Sequence, residues 1–281
     1  MTPVRASYGE RLQQVVGKRG PLAVGIDPHP AVLAAWGLAD DVAGLEVCAR
    51  GMVEALGEEV AVFKPQSAFY EAHGSAGVAV LERVLADIAA AGALSLLDVK
   101  RGDIGSTMDA YARAYLADGS PLAADAVTLS PYLGFGSLDG AVELAAAHGR
   151  GVYVLALTSN REGPQLQHAR SADGRLVGQL VVDEAAARNP GPGLGHVGVV
   201  AGATIGRTGV DFSALNGSIL APGIGAQGGT ADDLATVFGS AARLVLPTTS
   251  REVMAAGPDP EALRDAARTT LAAMRAVLSV G

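Results

Sequence analysis

The sequence predicts an α/β protein that forms one (β/α)8, or TIM, barrel as a single domain over residues 1–281. Short apolar runs of strand length alternate with alanine-rich stretches of helical spacing, and this alternation is typical of a parallel sheet covered by helices. Eight such units favour a closed barrel over an open sheet. No linker or shift in composition divides the chain, and α/β barrels commonly use about 200–250 residues as one unit.

Each strand is predicted from an apolar run that ends at glycine or polar residues. In chain order the strands are residues 22–26, 60–63, 94–97, 126–129, 152–157, 197–200, 219–221 and 244–246. The helices are predicted near residues 42–57, 69–91, 104–117, 138–148, 178–188, 207–215, 231–238 and 260–279. Thr230 and Asp233 fit a capping box, and Asp259 before Pro260 predicts a helix start. The polar residues 160–178 predict an inserted loop on the side where barrel enzymes place loops that close over ligands.

Composition limits the classes of partner. The chain carries a net charge of −8 and only 4% aromatic residues, so it lacks the basic surface and stacking platforms that nucleic-acid binding needs. The longest apolar stretch is shorter than a membrane-spanning helix, and no secretory signal pattern is present. Cys48 is the one cysteine, and its apolar setting favours a packing role. We expect a soluble, cytoplasmic protein with small-molecule partners, binding neither nucleic acid nor membrane.

Charged residues follow the first three predicted strands. Asp27 follows the first strand, Lys64 the second, and Asp98, Lys100 and Asp103 the third. The carboxyl ends of barrel strands form the active site, and the strand period places Asp98 and Lys100 on one face about 6.5 Å apart. Alternating ammonium and carboxylate groups would stabilise one another there, and a lysine flanked by carboxylates stays protonated and can act as a general acid. The alternative interpretation is a solvated turn.

A glycine-rich segment follows the seventh strand. Residues 222–229 read Pro-Gly-Ile-Gly-Ala-Gln-Gly-Gly and contain G-x-G-x-x-G before a predicted helix. A dinucleotide site is not favoured, because the motif lies in the seventh unit and the acidic residue expected about twenty positions later is absent. A phosphate site made of backbone N–H groups and the Arg251 guanidinium fits better. Turn glycines beside a surface arginine remain the alternative. The five histidines lack ligand spacing, so no metal is expected.

These motifs together resemble the orotidine 5′-phosphate decarboxylase family, in its longer type 2 bacterial branch. The resemblance rests on residues 98–107, Asp-Val-Lys-Arg-Gly-Asp-Ile-Gly-Ser-Thr, with Phe-Lys-Pro at 63–65 before them and the 222–229 segment after them. It extends from residue 25 to residue 251. It implies a barrel without cofactor or metal that converts orotidine 5′-phosphate to UMP and CO2 in de novo pyrimidine biosynthesis, working as a homodimer with shared active sites.

The resemblance implies catalytic roles for the charged residues. Lys100 matches the lysine that protonates C6, and Asp98 matches the carboxylate that faces the substrate carboxylate. Lys64 matches the lysine that completes the charge array and contacts ribose, and Asp27 matches another ribose ligand. Asp103 matches an aspartate that the family sends, with the residue at position 107, Thr107, across the dimer interface into the neighbouring site.

The resemblance also implies substrate-binding roles. Ser159 matches the serine that reads the pyrimidine edge, although a shift of one position would give that role to Asn160. Gln227 matches the glutamine that bridges pyrimidine and phosphate, and Arg251 matches the phosphate arginine. The family commonly has Gly-Arg-Ser around that arginine, whereas residues 249–252 read Thr-Ser-Arg-Glu. The backbone contact to phosphate is therefore open.

Two other functions compete with this one. A keto-sugar phosphate decarboxylase or aldolase of the same barrel superfamily shares the D-x-K-x-x-D pattern but uses Mg²⁺ held partly by a carboxylate at the end of the second strand. This chain has Lys64 there, and a lysine repels a metal ion. A non-catalytic barrel that binds a phosphorylated ligand is the second competitor, and the charged array argues against it.

Overall fold

The computed structural model describes residues 5–223 and 231–278, except the side chains of residues 231, 232, 235 and 277. Eight parallel strands pair in chain order, and the last pairs with the first, so the sheet closes into a barrel. The strands are β1 (Ala23–Ile26), β2 (Val62–Pro65), β3 (Leu94–Arg101), β4 (Ala126–Leu129), β5 (Gly151–Leu157), β6 (Val197–Ala201), β7 (Ile219–Pro222) and β8 (Val245–Thr249). The predicted fold class and all eight predicted strands are confirmed.

Helices follow most strands and cover the outside of the barrel. They are α1 (Tyr8–Arg19), α2 (Pro30–Ala35), α3 (Val42–Leu56), α4 (Ser67–Glu71), α5 (Gly74–Ala90), α6 (Gly105–Leu116), α7 (Asp139–Ala147), α8 (Gly163–Gln167), α9 (Val177–Ala187), α10 (Ala231–Phe238), α11 (Arg251–Met254) and α12 (Pro260–Leu278). No helix in this described set is long and apolar enough to cross a membrane. The Asp259 cap of α12 is confirmed, because its Oδ1 accepts a hydrogen bond from the Ala262 N–H at 2.8 Å. Thr230 lies outside the described residues.

Alternation along each strand divides the buried residues into two layers. In β3, Leu94 and Leu96 point into the barrel, whereas Leu97 and Val99 pack under the outer helices. This two-residue period carries Asp98 to the inner face, two residues after Leu96. Cys48 packs in the outer layer, where burial raises the pKa of its thiol to about 12. The packing role predicted for this cysteine agrees with that position.

Helix α1 closes the amino-terminal end of the barrel. Ser7 and Glu10 form a capping box at its start, and Tyr8, Leu12 and Val15 follow the spacing of one helix face. These three side chains are buried against the inner residues of the strands. The Tyr8 hydroxyl lies 3.0 Å from the hydroxyl of Tyr153 in β5. The end of the barrel opposite the strand carboxyl ends is thus filled by side chains.

The structure adds the unpredicted helices α1, α2 and α11 and corrects three of the predicted segments. The helix predicted at 207–215 is wrong: this segment is irregular, because Gly206 and Gly209 adopt φ of +67° and +78° and the Asp211 main chain bonds to the Gln179 side chain instead. The helix predicted at 69–91 is broken into α4 and α5 where Gly74 has a φ of +62°. Residues 160–178, predicted as a loop, contain α8 and an antiparallel bridge between Arg170 and Leu176.

Candidate active site

Three charged side chains predicted from the strand ends come together above the barrel core. The Lys64 Nζ lies 3.4 Å from Asp98 Oδ2, and the Lys100 Nζ lies 2.6 Å from Asp98 Oδ1. The Lys64 and Asp98 side chains are about nine-tenths buried, whereas 46% of the Lys100 side chain is exposed. One carboxylate therefore stands between two ammonium groups, of which only Lys100 is open to a ligand.

Asp98 has two further donors that the sequence analysis did not identify. The Thr128 hydroxyl donates to Oδ1 at 2.8 Å, and the Gln66 amide donates to Oδ2 at 3.0 Å. Gln66 lies two residues after Lys64, and Thr128 lies two residues after Ala126 on the inner face of β4. The two-residue period of a strand therefore places both side chains on the inner face, and this period is the signal that could have found them. Each oxygen of Asp98 thus accepts from one ammonium and one neutral donor, which stabilises the charged carboxylate.

Burial and pairing act against each other in this cluster. Burial by itself raises the pKa of Asp98, but Lys64 and Lys100 attract the negative form more strongly and hold the pKa below its ordinary value. Burial likewise lowers the pKa of Lys64, and attraction to Asp27 and Asp98 outweighs it, so the pKa lies above its ordinary value. Both groups are therefore charged at neutral pH.

The Lys100 main chain has an unusual conformation. Its φ is +46°, in the left-handed region, and Asn216 is the only other described non-glycine residue with a positive φ. The pairing of β3 with β4 shifts register between Leu97 and Arg101, so Lys100 lies in an irregular part of the strand. The Lys100 N–H donates to the Thr128 hydroxyl at 2.9 Å. Such conformations persist where surrounding contacts enforce them, and they concentrate at functional sites.

Asp27 lies at the edge of the cluster. Its Oδ1 is 3.7 Å from the Lys64 Nζ, and within the described part of the chain this buried atom has no hydrogen-bond partner. A side chain on the neighbouring Gly25 would place its Cβ 2.7 Å from the Ser250 Cβ. Glycine at position 25 therefore lets the turn that precedes Arg251 approach the end of β1. Asp27 presents an acceptor to whatever binds between these strand ends.

Asp103 and Thr107 lie outside the cluster of their own chain. The Asp103 carboxylate accepts a hydrogen bond from the Ile104 N–H at 2.8 Å, and Thr107 is exposed on the first turn of α6. The loop before them packs tightly, because a Cβ on Gly102 would lie 2.3 Å from the Ser130 carbonyl oxygen. No hydrogen bond or ion pair joins Asp103 or Thr107 to Lys64, Asp98 or Lys100 among the described residues, so both lie beside the cluster after the end of β3.

Ser159 lines a cavity of about 210 Å³ above the end of β5, together with Asn160 and Thr204. The residues around it are bonded to one another. The Gln167 side chain accepts from the Thr158 N–H at 2.9 Å and donates to the Thr158 hydroxyl at 2.7 Å. The Asn160 side chain bonds to the Thr158 hydroxyl and to Glu162. Ser159 is exposed between these fixed neighbours, which makes it the more available of the two candidate pyrimidine ligands.

Arg251 begins α11, and its side chain is exposed at the same end of the barrel. The adjacent Glu252 accepts a hydrogen bond from the Thr249 hydroxyl at 3.3 Å, so this carboxylate is held toward its own strand. Gln227 and most of the glycine-rich segment lie outside the described residues. The structure therefore brings together Lys64, Asp98 and Lys100, with Asp27 adjacent. Asp103 and Thr107 follow the carboxyl end of β3, Ser159 that of β5 and Arg251 that of β8.

The charged cluster opens onto a depression of about 350 Å³ lined by Gln66, Phe69, Asp98 and Lys100. A larger depression, about 1220 Å³, lies between α3, α5 and α12, and each of its three arginines is paired with a carboxylate. We assign the site to the end of the barrel that this smaller depression borders, because the depression contains Asp98 and the exposed ammonium group of Lys100 at the carboxyl end of β3. No group of three or more His, Cys, Asp or Glu side chains in the described ranges is placed to hold a metal ion.

The chain is similar to known proteins over nearly its whole length. The model of the orotidine 5′-phosphate decarboxylase / HUMPS family matches residues 20–266. An orotidine 5′-phosphate decarboxylase of Salinispora tropica is 63% identical over 274 residues, covering 97% of this chain and 99% of that protein. The same-named protein of a Nocardioides species is 58% identical over 262 residues, covering 92% and 95%.

Solved structures show the same similarity. The crystal structure of a candidate orotidine 5′-phosphate decarboxylase from Streptomyces avermitilis has a TM-score of 0.94 and 56% identity, covering 98% of this chain and 97% of that one. The OMP decarboxylase of Leishmania donovani has a TM-score of 0.75 and 29% identity, covering 97% and 99%.

Proposed function

Because this chain belongs to the orotidine 5′-phosphate decarboxylase family, we propose that its Lys64–Asp98–Lys100 cluster decarboxylates orotidine 5′-phosphate to UMP and CO2. The protein is accordingly a carboxy-lyase of pyrimidine biosynthesis. The observation that supports this site most strongly is the pairing of Lys100 Nζ with Asp98 Oδ1 at 2.6 Å, with Lys64 on the other oxygen. An ammonium group that is half exposed and fixed by a buried carboxylate is suited to give a proton to a bound ligand.

In the proposed reaction, one bond to C6 is broken and one is formed. The bond between C6 of the pyrimidine and its carboxylate carbon breaks, CO2 leaves, and the electron pair remains on C6. The Lys100 ammonium then transfers a proton to C6 and regains one from solvent. Negative charge that develops at C6 is stabilised by an ammonium group already in place, so stabilisation is greater in the transition state than in the ground state.

Substrate groups remote from C6 would contribute binding energy. We assign the phosphate to Arg251 and the glycine-rich segment with Gln227, the ribose to Asp27 and Lys64, and the pyrimidine edge to Ser159. The buried Oδ1 of Asp27 accepts no hydrogen bond from the described residues, and this supports the ribose assignment because a sugar hydroxyl would supply a donor. Binding energy from the phosphate can be used to hold the pyrimidine in its reactive position.

The proposal includes a homodimer in which each subunit completes the site of its partner. Asp103 and Thr107 lie at the rim without joining their own cluster, and they have exposed apolar neighbours. The exposed fractions are 62% for Ile104, 73% for Tyr132 and 50% for Leu133. A second copy packed on this rim would bury these side chains and bring an additional carboxylate near Lys100. A single domain and a cytoplasmic location are part of the same proposal.

The Mg²⁺-dependent alternative is not favoured. Lys64 Nζ lies 3.7 Å from Asp27 and 3.4 Å from Asp98, so an ammonium group already occupies the position between the two carboxylates that a divalent cation would need. Two positive charges at that distance would repel each other strongly in a buried site. A purely binding role has no specific observation in its favour.

The direct test is the ultraviolet absorbance of orotidine 5′-phosphate incubated with the protein in the presence of EDTA. We expect conversion to UMP at the same rate with and without the chelator. Loss of the activity on adding EDTA would support the metal-dependent alternative. Binding of UMP measured by calorimetry, without turnover of orotidine 5′-phosphate, would instead support the binding-only alternative.

A further inference from the structure

Thr128 is a buried residue that contacts the Asp98 carboxylate and the Lys100 main chain. It lies in β4, is 1% exposed, and faces the barrel interior beneath Lys100. Its hydroxyl donates to Asp98 Oδ1 at 2.8 Å and accepts from the Lys100 main-chain N–H at 2.9 Å. A threonine hydroxyl has a single proton, which it donates to Asp98, and one of its oxygen lone pairs accepts from the Lys100 main-chain N–H.

The acceptor role matters because of the Lys100 backbone. The pairing of β3 with β4 shifts register between Leu97 and Arg101, and at this point the Lys100 N–H donates to a side-chain hydroxyl. Thr128 supplies the acceptor and thereby supports a left-handed φ of +46° that a lysine adopts rarely. This backbone conformation sets the direction in which the Lys100 side chain leaves the strand.

The donor role matters because Lys100 Nζ shares its carboxylate oxygen with Thr128. Asp98 Oδ1 accepts from both, at 2.6 Å and 2.8 Å. Rotation of the Asp98 carboxylate would therefore break its hydrogen bond with Thr128 and move the Lys100 ammonium at the same time. One hydroxyl holds both ends of the Lys100 residue: its main chain directly, and its ammonium through Asp98.

We propose that Thr128 is a positioning residue for proton transfer, which fixes the Lys100 ammonium at the distance from the substrate carbon that the reaction requires. This inference rests on the proposed decarboxylase function. Thr128 itself touches neither the substrate nor the reacting atoms in this scheme. Its effect is therefore expected in the chemical step and not in the binding of the nucleotide.

The test compares Thr128→Val, which keeps the shape and removes the hydroxyl, with Thr128→Ser, which keeps the hydroxyl. We expect valine to lower kcat by about 10- to 100-fold, the range for a lost hydrogen bond to a charged group, with KM changed less than about threefold. Serine should retain kcat within about threefold of wild type. If valine does not yield folded protein by circular dichroism, Thr128→Ala replaces it in the comparison.

A pH profile separates this role from a general loss of packing. Removing a donor from the ionised Asp98 raises its pKa, so the acidic limb of kcat should move to higher pH in Thr128→Val and stay in place in Thr128→Ser. A hydroxyl-free variant with wild-type kcat and an unmoved acidic limb would overturn the inference. A serine variant as impaired as valine would do so as well. Wild-type protein without turnover would count against the proposed function instead.

Discussion

Asp98 separates the ammonium groups of Lys64 and Lys100, with the Lys64 Nζ 3.4 Å from Oδ2 and the Lys100 Nζ 2.6 Å from Oδ1. The carboxylate is thus the common partner of two like charges in a largely buried setting. Asparagine at position 98, the neutral isostere, would leave the two positive charges on either side of an uncharged amide. The cluster is therefore a determinant of stability as well as of chemistry.

Replacing this carboxylate should destabilise the fold. We expect Asp98→Asn to lower the free energy of unfolding at pH 7 by about 3–5 kcal/mol, because it leaves Lys64 buried with only the more distant Asp27 as a counter-charge. Urea denaturation followed by circular dichroism measures the difference. Asp109→Asn on the exposed face of α6 is the control, and it should stay within about 0.5 kcal/mol of wild type. Equal stability of wild type and Asp98→Asn would contradict the buried pairing.

The same cluster predicts how stability depends on pH. The pKa of Asp98 is below its ordinary value of 3.8 in the folded state, so its contribution is complete above that value and is lost as pH falls through the lowered folded pKa. The pKa of Lys64 is above its ordinary value of 10.5, so its contribution is complete below that value and is lost as pH rises through the raised folded pKa. Unfolding curves at a series of pH values should show the acidic loss reduced in Asp98→Asn.

Lys100→Ala tests the proton donor. The variant should lose turnover of orotidine 5′-phosphate while still binding UMP, because the phosphate and ribose contacts lie elsewhere in the proposed site. Absorbance assays measure the first quantity and isothermal titration calorimetry the second. Lys18→Ala, at the far end of the barrel on an exposed position of α1, is the matched control and should keep full activity. Near-normal turnover in Lys100→Ala would refute the assignment.

Mixed dimers test the shared site. Lys100→Ala and Asp103→Ala chains should each be inactive alone, yet a mixture should recover about a quarter of wild-type activity, since half of the dimers are hybrids with one intact site of two. Subunit exchange is verified by mass spectrometry of differently tagged chains. A mixture that exchanges fully and stays inactive would show that Asp103 acts within its own subunit or not at all.

Gly102→Ala tests the packing of the rim. The new Cβ would meet the Ser130 carbonyl oxygen at 2.3 Å, so the loop must shift and move Asp103 with it. We expect a destabilisation of about 1–3 kcal/mol and a lower kcat. Gly17→Ala on α1 is the control, because its Cβ would meet no atom within 4 Å and alanine favours the helix. Unchanged stability and kcat in Gly102→Ala would contradict the close approach of the two loops.

The strands and the charged cluster were predictable, whereas the neutral residues of the cluster were not. A two-residue period and a change from apolar to charged residues mark where Lys64 and Asp98 must lie. Gln66 and Thr128 follow the same two-residue period but carry no charge that singles them out, because their importance comes from the Asp98 oxygens that they meet 32 and 30 residues away in the chain. The helix prediction for residues 207–215 failed for a related reason. The positive φ angles of Gly206 and Gly209 and the hydrogen bond from the Asp211 N–H to the Gln179 side chain override the helical spacing of the sequence.

The plug formed by Tyr8, Leu12 and Val15 also has a kinetic consequence. Because these side chains fill the amino-terminal end of the barrel, a nucleotide product must leave through the carboxyl end of the strands, where the next substrate enters. Entry and exit then exclude one another. Because substrate and product then share one site and one route, we expect inhibition by UMP to be competitive with orotidine 5′-phosphate.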